Sequence, residues 1–570
     1  MAATSSTTKK FQLVLIKPSH YDDDGYVIQW FRSAIPSNTL AVLHGLALDC
    51  QERRVLGEDV EIVVSAFDEC NTHIKPKRIA RQLAGGPGLV ALVGVQSNQF
   101  PRAMDIARPL RAAGVPVCIG GFHVSGCLSM LPGTTPELQQ AIDLGVSLFA
   151  GEAEGHFDEV LRDAYRGTLK PLYNYMADLP SLDGAPMPIL PATRIKRTGG
   201  KITTFDAGRG CPFLCSFCTI INVQGRKSRR RSADDIEKIV RTNLAQGINR
   251  FFITDDNFAR NTDWEKVFDR LIAMREQEKL NLKFVIQVDT MCHRLPHFIE
   301  KAGRAGVARV FIGLESINPS ALLGARKKQN KVAEYRKMLL EWKQAGVTVF
   351  AGYIVGFPGD TPESVLHDIQ IIQRELPIDL LEPHCLTPLP GSEDHRKLYK
   401  AGVYLDPDLN KYDLEHVTTP HSTMSAEEWQ KLYHDAWANY YSPEHLETVM
   451  RRSVATNSNA GNMTFLLLWY YSMVALEKID PLEGGYLRRK CRKERRPPLP
   501  IESPLVFYPR YVFDLLHKHF KLAQLVWRYG KLRRKLKRDP DARTYTDAAL
   551  TPYVEDEFES LELSTVGAGK

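Results

Sequence analysis

Three cysteines within eight residues, Cys211-Pro-Phe-Leu-Cys215-Ser-Phe-Cys218, limit what this chain can build more than any other stretch. They follow the extended run Ile202-Thr-Thr-Phe-Asp206 and the glycines Gly208 and Gly210, so they sit in a loop after a strand. A C-x-x-x-C-x-x-C loop can hold three corners of an iron–sulfur cube. With no fourth cysteine, one iron keeps an open coordination position, which points to chemistry rather than to a staple. A structural zinc site needs four ligands, commonly as two C-x-x-C-like pairs, and no second pair occurs along the chain. Three unconnected core thiols are the remaining alternative.

At 570 residues the chain is long enough for three domains. Its ten cysteines lack the density and spacing of a secreted disulfide framework, so a reducing, cytoplasmic setting is expected. The first ten residues have no apolar core and read as a short disordered tail, not a signal peptide. The formal charge of +7 is uneven. Residues 486–538 hold 17 lysines or arginines against three acids, which leaves the remainder net acidic. The basic character is therefore local, and no nucleic-acid partner is expected.

Apolar, β-branched runs recur at Phe11–Lys17, Val60–Ser65, Leu89–Val95, Val115–Gly121 and Leu148–Glu152, separated by helix-length segments. This pattern predicts a doubly wound, Rossmann-like α/β domain over residues 11–165, with ligands at the carboxyl ends of a parallel sheet. At those ends lie Gly94-Val-Gln-Ser-Asn-Gln99, Gly120-Gly-Phe-His-Val-Ser125 and Gly151-Glu-Ala-Glu154. Residues 166–200, rich in proline and glycine, read as a linker.

Six further strand-like runs follow: Ile202–Asp206, Arg250–Asp256, Lys283–Asp289, Arg309–Ser316, Thr348–Phe357 and Asp379–Leu386. Helical patterns lie between them, with Gly247 and Gly346 as helix stops. Six β/α units predict a partial TIM-like (β/α)6 barrel over residues 201–420, its working groups at the carboxyl ends of its strands. Those ends carry Asp256, Gln287, Glu315 and Gly356. Asp255 and Asp256 also suit a helix N-cap, and Glu315 a salt bridge at the barrel mouth. The run Arg226–Arg231 reads as a solvated or cofactor-carboxylate-facing loop.

The cysteine spacing in a post-strand loop resembles the signature of the radical SAM superfamily, whose 4Fe-4S cluster is chelated by S-adenosylmethionine at its fourth iron. The resemblance implies that Cys211, Cys215 and Cys218 hold the cluster. It implies that Phe217 lies beside adenine, that Asp256, Gln287 and Glu315 contact methionine and ribose, and that Gly356 walls the adenine. The upstream G-G-x-H-x-S and G-E-x-E order looks like the cobalamin-binding domain of one class within that superfamily. It assigns Gln96, Ser97, Gly120, Gly121, His123, Ser125 and Glu152 to the corrin and its nucleotide tail. The D-x-H-x-x-G motif of many cobalamin proteins is missing, which leaves the lower face of cobalt to water or to the 94–99 loop. A vestigial or substrate-binding module is the alternative for this domain.

By that resemblance the expected activity is C-methylation of an unactivated carbon through a 5′-deoxyadenosyl radical, with cobalamin carrying the methyl group. A radical rearrangement, cyclisation or oxidation without methylation, or a noncatalytic cofactor-binding scaffold, are the other readings. An electron donor such as flavodoxin or ferredoxin and a small-molecule or lipid-like substrate are the implied partners. No catalytic residue stands out.

Residues 421–540 read as mostly helical and basic, and 541–570 as a disordered tail. The apolar stretch Met463–Leu476 is too short to cross a bilayer. Within Tyr511–Lys537, Val512, Leu515, Leu516, His519, Leu522, Ala523, Val526 and Trp527 form one apolar stripe at helical spacing. Such a helix can lie on an anionic membrane through residues 486–538, on the inner face of the cell membrane, or can pack against the barrel mouth.

Overall fold

A computed structural model of the chain describes residues 9–456, 460–551 and 561–566. Strand β1 (Lys9–Lys17) opens it, followed by an outlying strand β2 (Gln29–Ser33) and then β3 (Val60–Asp68), β4 (Gly88–Leu92), β5 (Val117–Gly120), β6 (Ser147–Ala150) and β7 (Leu172–Asn174). All but β2 join one parallel sheet in the order β3-β1-β4-β5-β6-β7. Every residue of β4 is buried, as a strand covered on both faces by helices requires. The expected doubly wound domain is present. It starts at Lys9, inside the stretch read as a tail, and its edge strand β7 lies inside the stretch read as a linker.

The second sheet holds β8 (Ile202–Phe205), and just after it β9 (Gly208–Arg209) pairs with β10 (Arg229–Arg230) in a small antiparallel ladder. Strands β11 (Arg250–Ile253), β12 (Lys283–Val288), β13 (Val307–Glu315), β14 (Thr348–Val355) and β15 (Leu380–Cys385) complete the sheet, in the order β15-β14-β13-β12-β11-β8. Six parallel strands with open ends make the partial barrel. Gly247 and Gly346 stop their helices with φ of 77° and 73°, the left-handed conformation glycine adopts freely.

Both open edges are covered. The helix Asn38–Glu52 of the first domain packs against β8. At the other edge, the helix Ala426–Tyr440 and the residue after it cap the outward carbonyls around β15. Trp437 Nε1 donates to Pro383 O at 3.1 Å, Tyr441 OH to Leu381 O at 3.0 Å and Tyr440 OH to Ile378 O at 3.1 Å. Exposed edge carbonyls would otherwise template pairing with another chain.

The C-terminal region is helical as expected, and three details differ. Strand β16 (Gly485–Arg489) pairs antiparallel with β2. Much of the basic run after it is spent on internal pairs: Arg488 with Asp22 at 3.0 Å, Lys490 with Asp24 at 3.1 Å and Arg496 with Asp408 at 2.6 Å. Those charges hold the segment to the first domain and the barrel, while Arg489 and Lys493 stay exposed. The tail is ordered where described. Arg452 pairs with Asp547 at 2.8 Å, and the Glu562 and Leu563 N–H groups both donate to the Glu375 carboxylate at 3.0 Å. Residues 552–560 and 567–570 of that tail lie outside the described residues.

Glu483 ties the C-terminal region to the first domain, accepting from His20 Nε2 while Lys17 lies close by. Burial raises its carboxyl, but His20 and Lys17 outweigh that and hold it at about 2. A depressed carboxyl stabilises the fold above its ordinary value of 4.5, and the contribution disappears as pH falls toward 2. Glu483→Gln is expected to cost about 2–3 kcal/mol at neutral pH, where two cations lose their counter-charge. The check is the melting temperature of variant and wild type at pH 7 and pH 3, with a smaller gap expected at the lower value.

Candidate active site

The cysteine loop hangs from the β9–β10 ladder and is pinned at several points. Cys211 N–H donates to Gly225 O at 3.2 Å. Ser216 donates its N–H to Ala325 O at 3.0 Å and its Oγ to Asp394 Oδ2 at 2.9 Å, while its carbonyl accepts the Asp394 N–H at 3.1 Å. Cys215 is buried and takes a hydrogen bond from Gln329 Nε2 at 3.4 Å. The three thiols are close enough to influence one another's ionisation. Enclosure pushes Cys218 up to about 12, with Asp256 adding to the effect. Metal binding must therefore expel protons from these thiols, and the thiolate charge is then neutralised by the metal. No disulfide joins the cysteines, and all three remain available as ligands.

Around this loop the barrel strands end in the residues the sequence singled out. Asp256 follows β11 and is solvent-exposed, yet lies close enough to Cys218 to raise that thiol, and the surrounding protein raises its own carboxyl. Gln287 Nε2 makes a long contact of 3.4 Å to Asp255 O. Phe217 stands edge-on to Phe357, ring centres 6.4 Å apart. Glu315 ends β13 at a bulge in its pairing with β14 and has φ +65°, a conformation that costs a non-glycine residue energy and is found at sites where position matters.

Glu315 is not free to take a ligand alone. It accepts a hydrogen bond from Lys327, a buried lysine that also lies 5.7 Å over the Phe217 ring. Burial opposes the charge of Lys327, but Glu315 and the neighbouring Cys215 and Cys218 outweigh it and raise its pKa. A fixed cation thus stands next to the cysteine loop. Sequence reading missed Lys327 because the run Arg326-Lys-Lys328 looks like an ordinary charged turn. Gly356 has a structural reason of its own: its φ is +107°, and a Cβ would lie 2.1 Å from the Trp429 ring, whose Nε1 donates to Val355 O at 3.0 Å.

Two cavities flank the loop. The larger, about 960 Å³, opens at the ends of β14 and β15. Phe217, Phe357, His367, His421 and Trp429 are among its walls, and Thr565 and Val566 of the tail reach its rim. The smaller, about 170 Å³, is a mostly apolar slot between the first sheet and Arg209, Val223 and Gln224, which bracket the cysteine loop in sequence. Gly120, Gly121, Ser125 and Glu152 line it, together with Val42, Ala153, Arg209 and Gln224. Gly121 lets this loop pack directly on the backbone after β4: at φ +150° a Cβ would lie 2.2 Å from Val95 N.

Gln96, Ser97 and His123 lie off this slot. His123 is buried against Phe100, its Nδ1 3.0 Å from Ser97 Oγ, and burial holds it neutral with a pKa of about 3. Glu152 lines the slot, yet its carboxylate is held by Arg209 Nη1 at 2.7 Å and Arg229 Nη1 at 2.8 Å. Arg209 also pairs with Glu154 at 2.7 Å and Asp206 at 3.1 Å. The run Arg226–Arg231 is accordingly no solvated loop at its far end. Arg231 is fully buried, donating to Asp206 O and Ala185 O, both at 3.0 Å. These arginines weld the cysteine-bearing ladder to the first domain.

The model of the radical SAM superfamily matches residues 206–372, the span from the end of β8 into the helix after β14. A bacteriochlorophyllide d C-8(2)-methyltransferase of Chlorobaculum tepidum is 26% identical over 345 residues, 57% of this chain and 72% of that protein. A hopanoid C-2 methylase of Rhodopseudomonas palustris is 24% identical over 393 residues, covering 68% and 71%. In fold, the chain is similar to the radical S-adenosylmethionine methyltransferase TsrM from Kitasatospora setae, with a TM-score of 0.52 at 16% identity over 69% of this chain and 77% of that one. It is likewise similar to the cobalamin-dependent S-adenosylmethionine radical enzyme OxsB, with a TM-score of 0.52 at 13% identity over 98% and 85%. The three-cysteine loop at the mouth of the six-stranded partial barrel lies within residues 206–372, which form a radical SAM domain, and the chain is an enzyme built on that domain.

Proposed function

We propose that this enzyme is a cobalamin-dependent C-methyltransferase that uses S-adenosylmethionine and a 4Fe-4S cluster on an unactivated carbon of a small, largely apolar molecule. The observation that carries the reading is a cysteine loop whose Ser216 and Phe217 line the barrel-mouth cavity and whose flanking residues Arg209, Val223 and Gln224 line the slot at the glycine-rich ends of the first sheet. The residues present fit both groups. The slot ends in Asn38 Oδ1 and Gln224 Oε1, buried acceptors without a protein donor among the described residues, suited to the amide-rich periphery of a corrinoid. The cysteines supply three thiolates and leave one iron open.

When bound, these cofactors supply one-electron cleavage of S-adenosylmethionine and carriage of a methyl group; the protein's part is to bind, orient and exclude water. Lys327, held by Glu315 beside the cluster ligands, is placed to meet the carboxylate of S-adenosylmethionine, and Asp256 to accept from its ammonium. An ammonium there would favour the charged form of Asp256, whose carboxyl the surrounding protein raises. Phe217 and Phe357 offer faces to adenine. The large cavity leaves room for substrate, and the relatives named for a bacteriochlorophyllide and a hopanoid support a bulky, apolar substrate class. An electron donor of the flavodoxin or ferredoxin kind completes the proposal.

The test uses anaerobic, reconstituted protein with reductant, S-adenosylmethionine deuterated in its methyl group, and an apolar cell extract as substrate pool. Formation of 5′-deoxyadenosine together with a product carrying the label is expected. Deoxyadenosine with an unlabelled product excludes methylation and leaves a rearrangement, cyclisation or oxidation.

A further inference from the structure

The helix Pro504–Arg538 is 35 residues long, and its two faces differ sharply. The sequence pattern grouped eight residues into one stripe, but the structure splits them. Leu515, His519 and Leu522 turn toward the body, continuing a line with Phe507, Tyr529 and Leu536, which are buried. The opposite face carries Leu505 at 86% exposure, Val512 at 50%, Phe513 at 71%, Leu516 at 65%, Phe520 at 61% and Trp527 at 66%. The steps 505, 512, 516, 520, 523 and 527 repeat every three or four residues or two turns, so this is a seam along about 33 Å of helix. A stable fold gains nothing from a row of exposed Phe, Leu and Trp, and such rows mark contact surfaces.

The charge around the seam identifies the partner. This helix has ten lysines or arginines and one acid, Asp514, which is taken up by Lys518 at 2.9 Å. Among the described residues, Lys521, Arg528, Lys531, Arg533, Arg534, Lys535, Lys537 and Arg538 meet no acid within ion-pair distance, whereas four cations of the run 488–496, Arg488, Lys490, Arg495 and Arg496, pair internally. Lys531 lies 5.5 Å over the Trp527 ring, and Lys521 and Arg528 are exposed on the adjoining side of the helix. No helix among the described residues is long and apolar enough to cross a membrane. A second copy of the chain would bring an equally cationic helix against this one, and repulsion disfavours that pairing.

We propose that this outward face docks the enzyme on an anionic lipid bilayer, the apolar seam entering the headgroup boundary and the cations meeting lipid phosphates. This is independent of the methylation reading, since it concerns a surface apart from both cavities. The test is flotation of the full chain with vesicles of equal parts phosphatidylcholine and phosphatidylglycerol, and with phosphatidylcholine alone. Wild type is expected to float with the anionic vesicles and about tenfold less with the neutral ones, the preference fading at high salt. The variant L516E/F520E/W527E is expected to lose at least about tenfold of that binding, because three buried anchors become anions. A second variant, K521Q/R528Q, keeps the seam and six of the eight unpaired cations, and is expected to weaken the anionic preference without abolishing it. Substitutions on an exposed face leave the circular dichroism and melting temperature of both variants unchanged. Equal flotation of wild type and the glutamate variant, no flotation of wild type, or a dimer in sedimentation that only the glutamate variant breaks would each overturn the proposal.

Discussion

Cys215→Ala protein, reconstituted with iron and sulfide without oxygen, is expected to lose its 4Fe-4S absorbance and to form 5′-deoxyadenosine roughly a thousandfold more slowly than wild type. Metal–thiolate sites of four ligands are worth about 10–16 kcal/mol, so one ligand accounts for about 3–4 kcal/mol, or two to three decades. Cys215 is the best choice among the three because it is buried and its sulfur is held by Gln329. Replacement by alanine removes one atom from a loop that Ser216 and Asp394 keep in place. The melting temperature without cluster should therefore barely change. Wild-type rates of deoxyadenosine formation from the variant would remove this loop from the chemistry altogether.

The second large effect is expected at the slot. Ala153→Trp should cut retention of a cobalamin by roughly 30- to 150-fold, because a buried indole must leave before the cofactor enters, at about 2–3 kcal/mol. Ala153 lies on the wall of the slot in a loop at the strand ends and is only partly buried, so the indole fills the slot without wedging the sheet apart. Corrinoid absorbance after desalting is the measurement. The cluster content of the same preparation should be unaffected. Undiminished corrinoid in the variant means that the cofactor sits elsewhere, and loss of both absorbances means that the substitution has unfolded the interface.

Local patterns in the chain foretell local features well. The cysteine triplet, the glycine stops at 247 and 346 and the strand runs of both sheets depend on neighbours within a turn or a strand, so spacing alone reveals them. Lys327 became visible only in three dimensions, since its partner Glu315 reaches it through a bulge in β13 and an outlying turn. His123 reads as a turn residue open to ligand because two glycines precede it, and burial against Phe100 is a matter of tertiary packing. Gly356 reads as room for adenine, although Trp429, 73 positions later, already fills the place of its missing side chain. The basic run 488–496 looked like open surface because its counter-charges lie far away at Asp22, Asp24 and Asp408.

The arginines of the β9–β10 ladder have a mechanical consequence. Arg209 and Arg229 grip Glu152 and Glu154 across the junction, and stripping buried ion pairs of their partners is expensive. The floor of the slot and the base of the cysteine loop are thus a single rigid piece. Any route by which a large cofactor enters has to flex the helices around the slot, and a protein that loosens enough to release one prosthetic group at this seam would bare the other to oxygen in the same movement.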